Sequence, residues 1–374
     1  MSVSNGQTKF VPLGEYIELC DERNSEGKYT LDDVRGISIQ KKLIFTKADM
    51  KDVVLTPYKL LKPREFSYVT VTSRNGGKIS LAMNDTDETY IVSSSYVNFR
   101  CKDTEELLPE YLYLLLSRSE FDRYSRFNSW GSARETFDWE EMCRVEIPLP
   151  DITVQQELVD TYNGLKALAE QNEALIEPLS KACEAFIVDC KNKYPEVELG
   201  EYIEEINEKN INNEISLTQG VDVNMQFIPA KREAADKEST KIVRRGQFAF
   251  NKVVKAGGTK LPIALRKDED CIISSSYAVF QITREKELLS DFLFIWMLRK
   301  EFHRYCGYVS KGTTRDVFDF DDLSSLKITL PSPEVQQSIV NLYNCIEEAK
   351  KIASEAREKL KTLCPALVQR AANT

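Results

Sequence analysis

The sequence predicts an α+β protein. It holds two homologous α/β domains, each followed by a long helix, and the helices pair as an antiparallel coiled coil about a pseudo-two-fold axis. Three observations predict this. The chain repeats itself at an offset of 181 residues. The first part of each repeat is rich in β-branched and turn-forming residues. The last part of each carries apolar residues in a heptad.

The repeat is clearest where "FNSWGSARETFDWEEM" (127–142) returns as "YVSKGTTRDVFDFDDL" (308–323), so that Gly131, Arg134, Phe137 and Asp138 recur as Gly312, Arg315, Phe318 and Asp319. "PLGEYIE" (12–18) is echoed by "ELGEYIE" (198–204), "IVSSSYVNF" (91–99) by "IISSSYAVF" (272–280), and "PLPDITVQQELVDTYN" (148–163) by "TLPSPEVQQSIVNLYN" (329–344). A period this long is a domain, not a solenoid unit. The chain has 374 residues, of which 42% are hydrophobic, enough for two buried cores.

Each copy reads in the same order. Stretches such as "SYVTVTSRNGGKISLAM" predict short strands joined by turns. "PEYLYLLLSRSEFDRY" (109–124) has helical spacing. Asp138 with Glu141 predicts an N-cap and capping box, and Asp319 with Asp322 a weaker one. A short strand follows, and Pro150 or Pro331 ends it. Asp151 and Ser332 are then placed to cap the long helices, with Pro333 at the favoured first position.

In the second long helix Val335, Ile339, Leu342, Ile346, Ala349, Ala353, Ala356, Leu360, Leu363 and Leu367 alternate in steps of four and three. Subtracting 181 gives the expected seam of the first, including Leu158, Leu165, Leu168, Asn172, Leu175 and Leu179. Large residues of one helix then face alanines of the other, which favours close pairing. Asn172 is placed to fix register, and Pro178 should kink the first helix.

The formal net charge is -9, which argues against nucleic acid if it is spread evenly. It is not spread evenly. Lys41, Lys42, Lys47, Lys51, Lys59, Lys62, Arg64, Arg74 and Lys78 lie close together in copy one. Lys231, Arg232, Lys237, Lys241, Arg244, Arg245, Lys252, Lys255, Lys260, Arg266 and Lys267 occupy the matching part of copy two. Each copy so presents a basic stretch suited to phosphate. Within it, Arg74, Asn75 and Lys78, and Lys252, Lys255 and Lys260, are candidates for reading base edges. The glycine loops add hydroxyls and guanidinium groups, so Ser132, Arg134, Lys311, Thr313 and Arg315 are candidates for phosphate contacts.

Other classes lose support. The nine cysteines form no CxxC and read as reduced thiols, and with a single histidine no zinc or other metal site is expected. No GxxxxGK[ST], GxSxG or HExxH motif occurs. No stretch matches a membrane span or a signal core, so the expected location is cytoplasmic. The chain reads as a binder. Its rivals are a rod-like scaffold whose domains bind protein, and an enzyme in its own right.

Two diverged domains, each followed by a helix opening "PLPDITVQQ" or "LPSPEVQQ", with "PLGEYIE"/"ELGEYIE" and a Gly-Ser/Thr-x-Arg loop before each helix, resemble the specificity subunit of type I restriction–modification systems. The resemblance spans essentially the whole chain. It implies target recognition domains at 1–150 and 194–331, each reading one half of a bipartite site in double-stranded DNA. It implies spacer helices at 151–193 and 332–374, which dock two methyltransferase subunits, with nuclease/translocase subunits outside them. The chain would bind no cofactor itself; S-adenosylmethionine, ATP and Mg would belong to the partners. A specificity subunit serving a methyltransferase without a nuclease, or a stand-alone regulator, would share these features.

Overall fold

The computed structural model describes residues 9–46, 49–73, 76–132, 134–231, 236–254, 260–310 and 316–373, with side chains up to 362 except that of residue 254. The candidates Arg74, Asn75, Lys255, Lys311, Thr313 and Arg315, and the side chain of Leu363, lie outside the described residues. The chain divides into two compact units, Met1–Glu170 with Ala353–Thr374, and Gln171–Ile352.

The first unit is built on a four-stranded antiparallel sheet in the order 17–20, 97–101, 66–68, 81–83. Helices α1 (Pro109–Leu116), α2 (Ser119–Phe127) and α3 (Trp139–Cys143) follow it, and then the long α4 (Ile152–Lys193). The second unit repeats the sheet as 203–206, 277–282, 248–251, 263–265. It continues with α5 (Ser290–Met297), α6 (Lys300–Val309), α7 (Phe320–Ser324) and the long α8 (Pro333–Asn373). The stretch at 109–124 thus forms two helices, because Arg118 takes an extended conformation at the start of α2.

The cores match ring for ring. Phe66 stacks on Phe99 with centroids 4.9 Å apart, and Phe248 stacks on Phe280 at 4.8 Å. Phe137 meets Tyr68 edge-on at 6.3 Å, and Phe318 meets Phe250 at 6.0 Å. Such offset and edge-on pairs add to the burial of their area. The repeated "LGEY" is explained by close packing. A Cβ on Gly14 would lie 2.7 Å from the Cβ of Cys143 in α3, and one on Gly200 would lie 3.1 Å from that of Ser324 in α7.

Both units draw on both long helices. In the second unit Cys183, Ile187 and Cys190 of α4 share one core with Ile339, Val340 and Ile346 of α8. The late part of one helix therefore lies with the early part of the other, and the pair is antiparallel. Asp151 caps α4, its carboxylate accepting the Thr153 N–H at 2.9 Å, and Pro333 opens α8.

α4 continues through Pro178; the residue is exposed, and so is Ala174, whose carbonyl it leaves unbonded. One expectation is corrected, that of the two capping boxes. The complete capping box is at Asp319 and Asp322, where the Asp322 carboxylate accepts the Asp319 N–H at 3.0 Å. At Asp138 only the forward bond forms, because Glu141 turns to Arg144 at 2.5 Å.

Burial along the expected seam positions differs between the long helices. In α8, Ile339, Ile346, Ala349, Ala353 and Ala356 are buried, and Leu342 and Leu360 half-buried. In α4 the buried residues include Val159, which belongs to the core of the first unit, Ala169, and Cys183 and Ile187, which belong to the core of the second. Leu158, Leu165, Asn172 and Leu179 are half-buried, while Leu168 and Leu175 are 42% and 50% exposed. Homologous helices need not bury homologous faces when one seam is made of alanines and the other is not.

Candidate nucleic-acid interface

In each unit the residues flanking the two loops chosen from sequence pair with each other. In the first, Val71 bridges Thr136, the Thr72 N–H donates to Glu135 O at 3.0 Å, and the Phe137 N–H donates to Thr70 O at 2.8 Å. This short ladder joins the segment before residue 73 to the end of the 130–136 loop. In the second unit Val253 pairs with Val317 and Val254 with Asp316, and the Phe318 N–H donates to Lys252 O at 2.9 Å. Phe137 and Phe318, both fully buried, anchor the ladders to the cores.

The glycine of the first motif is required by geometry. Gly131 has a φ of +140°, and a Cβ there would lie 2.2 Å from Arg134 O. The loop folds back on itself, Trp130 and Thr136 exchanging both backbone hydrogen bonds at 3.1 and 2.9 Å. Ser132, Arg134 and Lys78 are exposed, as is Lys260 in the second unit, and none of them takes part in an ion pair among the described residues. Lys252 differs: it is half-buried, 3.2 Å from Asp319 and 3.9 Å from Glu205.

Much of the basic stretch is neutralised by acids from elsewhere in the chain. Lys41 is buried, 2.8 Å from Asp122, and Lys59 lies 2.9 Å from Asp21. Lys62 pairs with Glu22, and Arg64 lies 2.6 Å from Glu110. In the second unit Arg244 pairs with Glu208 and Asp270, and Lys267 lies 2.6 Å from Asp291. Burial holds the Lys41 ammonium below the usual lysine range, partly opposed by Asp122. Among the described residues of these stretches, Lys42, Lys51, Lys78, Lys231, Arg245 and Lys260 are exposed and take part in no ion pair.

Two features escaped the sequence reading. The first is a pin just after the 73–78 stretch in the first unit and after Lys260 in the second. In the first unit the Ile79 N–H donates to Asp122 of α2 at 3.3 Å; in the second the Leu261 N–H donates to His303 Nδ1 of α6, also at 3.3 Å. Asp122 and His303 are 181 apart, so one slot holds an acceptor in both copies with different chemistry. His303 is buried, and desolvation, aided by Lys260, pushes its pKa down to about 4.

The second is the first glutamine of each "VQQ". Gln155 donates to Glu106 O at 2.8 Å and Pro150 O at 2.9 Å and accepts the Leu108 N–H at 3.0 Å. Gln336 does the same with Glu287 O, Pro331 O and the Leu289 N–H, at 2.7, 2.8 and 2.8 Å. Both are fully buried. Each clamps the start of a long helix to the start of α1 or α5. The "QQ" doublet was visible; only the fold separates the buried glutamine from its exposed neighbour.

Among the described residues no group of three or more His, Cys, Asp or Glu is placed to hold a metal ion, and no helix is long and apolar enough to cross a membrane.

Comparison with known proteins agrees with this architecture. The model of the type I restriction modification DNA specificity domain matches twice, at 29–179 and 197–361. The type I restriction enzyme HindI specificity subunit of Haemophilus influenzae is 22% identical over 178 residues, 47% of this chain and 35% of that one; the match spans about a third of that relative's length. The crystal structure of the type I restriction–modification S subunit from M. genitalium aligns over 99% of this chain and 98% of that one, with a TM-score of 0.60 and 11% identity, a likeness of fold. With two family matches covering most of its length, the chain belongs to the type I restriction–modification DNA specificity family.

Proposed function

We propose that this chain is the non-catalytic, sequence-reading subunit of a type I restriction–modification complex. Each loop pair reads one half of a bipartite site in double-stranded DNA, and the long helices dock two methyltransferase subunits. The observation that carries the reading is the short ladder at the base of each loop pair, formed by matching residues in both units, while the loop sequences beyond it differ. A shared frame with diverged tips suits two half-sites of different sequence, whose spacing follows protein geometry. The domains are then 1–150 and 194–331, and the spacers 151–193 and 332–374. Leu175 and Phe186, apolar and exposed on α4 in the second unit, suit a protein partner on the spacer. Methyl transfer from S-adenosylmethionine, and any ATP- and Mg-dependent cleavage, belong to the partners.

The test is to co-express the chain with its methyltransferase subunit and map modified adenines across the host genome. A split motif with a fixed gap, lost when this chain is omitted, is the expected result. A stable complex that modifies nothing would refute the reading.

A further inference from the structure

The exposed faces of α2 and α6 carry a feature absorbed by neither the loops nor the cores. Phe127, the last residue of α2, is 78% exposed, and Tyr308, near the end of α6, is 88% exposed. They are 181 residues apart, hence the same position in the two copies. A single exposed aromatic needs no explanation. Recurrence of one at the same site does, because the residues just before it change, Ser125 and Arg126 becoming Cys306 and Gly307, although Glu, Phe, Arg and Tyr earlier in "SEFDRYSRF" and "KEFHRYCGY" recur.

What accompanies the rings identifies their partner. Arg123 and Arg304 stand four positions earlier, one turn back on the same helical face, and both are exposed. Arg123 has only the surface carboxylate of Glu120 nearby, at 3.4 Å. Each face therefore offers a guanidinium and, one turn on, an aromatic ring. Both helices lead directly into the glycine loop, and Asp122 or His303 pins them to Ile79 or Leu261, just after the other loop. A protein partner would match the ring alone. A nucleic acid matches both groups: the guanidinium a phosphate, the ring a thymine methyl or an exposed base face.

Resting on the specificity-subunit reading, we propose that Phe127 and Tyr308 are specificity-determining residues, one for each half-site, each steered by its arginine onto the neighbouring phosphate. The ring supplies apolar contact with a base, and the arginine supplies position without sequence preference.

The experiment uses the full chain in complex with its methyltransferase subunit. Binding to duplexes carrying single substitutions in either half-site is compared for wild type, Phe127→Ala, Tyr308→Ala, Tyr308→Phe and Arg123→Ala. Phe127→Ala should lower discrimination at one half-site by roughly 5- to 100-fold and leave the other unchanged, and Tyr308→Ala should do the converse. Tyr308→Phe should keep discrimination, since the ring is what counts. Arg123→Ala should weaken binding evenly across sequences and reduce the salt slope by about one. Alanine variants that keep full discrimination at both half-sites overturn the inference, as does loss of the methyltransferase subunit on size-exclusion chromatography, which would make the rings a protein-docking surface. A wild-type complex with no bipartite preference at all overturns the underlying reading, and the inference with it.

Discussion

Gln155 and Gln336 show how one buried side chain joins two elements. Each satisfies two carbonyls and one N–H with no water at hand. Replacing Gln336 by Met keeps the bulk but strands three backbone groups. The expected cost is about 2–4 kcal/mol, against under about 0.5 kcal/mol for Gln337→Ala at the exposed neighbour, measured by urea unfolding. The His303 slot gives a second expectation at this scale. Its pKa is lowered in the folded state, to about 4, so the folded chain binds fewer protons between that value and the unfolded value near 6.5. Its stabilising contribution is complete above pH 6.5 and is lost as pH falls toward 4. His303→Asn retains an acceptor for the Leu261 N–H without titrating. The wild-type stability should therefore fall relative to the variant by roughly 2–3 kcal/mol across that window. As the chain's only histidine, His303 gives a single imidazole NMR signal whose titration checks the shift directly; a midpoint near 6.5 would refute it.

The long helices show what sequence periodicity can and cannot place. The steps of four and three identified both helices, and Ala349, Ala353 and Ala356 of α8 are buried. The row of α4 was inferred by subtracting 181, and there several of the buried residues lie one position later. Heptad spacing constrains the interval between buried residues more tightly than it constrains which of two adjacent rows is buried, and α4 has apolar residues in both. The two placements predict different mutants. If the displaced row is the buried one, Leu175→Ala, at a half-exposed position, costs under about 1 kcal/mol, whereas Ile176→Ala, packed against the second unit's core, costs about 2 kcal/mol or more. Ala353→Leu should be disruptive by about 1–3 kcal/mol, since that seam position is 4% exposed. Chemical denaturation of the three variants decides between the rows, and a larger loss at Leu175 than at Ile176 would restore the original seam.

At the scale of the whole molecule, the proposed function requires a chain of net charge -9 to approach a polyanion. The basic stretches were legible in the sequence, but their strength was not. Counting only nearby acids left most of those cations free, whereas folding brings Asp21, Glu22, Glu110 and Asp122 to them in one unit and Glu208, Asp270, Asp291 and Asp319 in the other. These partners are distant in sequence, so no reading of a local window finds them. The loops were legible because glycine at a forbidden φ and a buried phenylalanine leave a signature; the pins at Ile79 and Leu261 were not, because aspartate in one copy and histidine in the other share no pattern. The physical consequence is that fewer of those cations are free for phosphate than a count along the sequence implies. Each phosphate neutralised contributes about -0.9 to the slope of log K against log salt. The chain alone should therefore bind duplex weakly, with a slope of only about -2 to -4, and the complex with methyltransferase subunits should show a distinctly steeper one as partner cations are added. Fluorescence anisotropy of a labelled duplex, titrated from low to moderate salt with and without the partner, measures both slopes. A steep slope for the free chain would mean that the ion pairs described here open on DNA and that the basic stretches act as whole surfaces; equal, shallow slopes would mean that the partner adds affinity without touching phosphate.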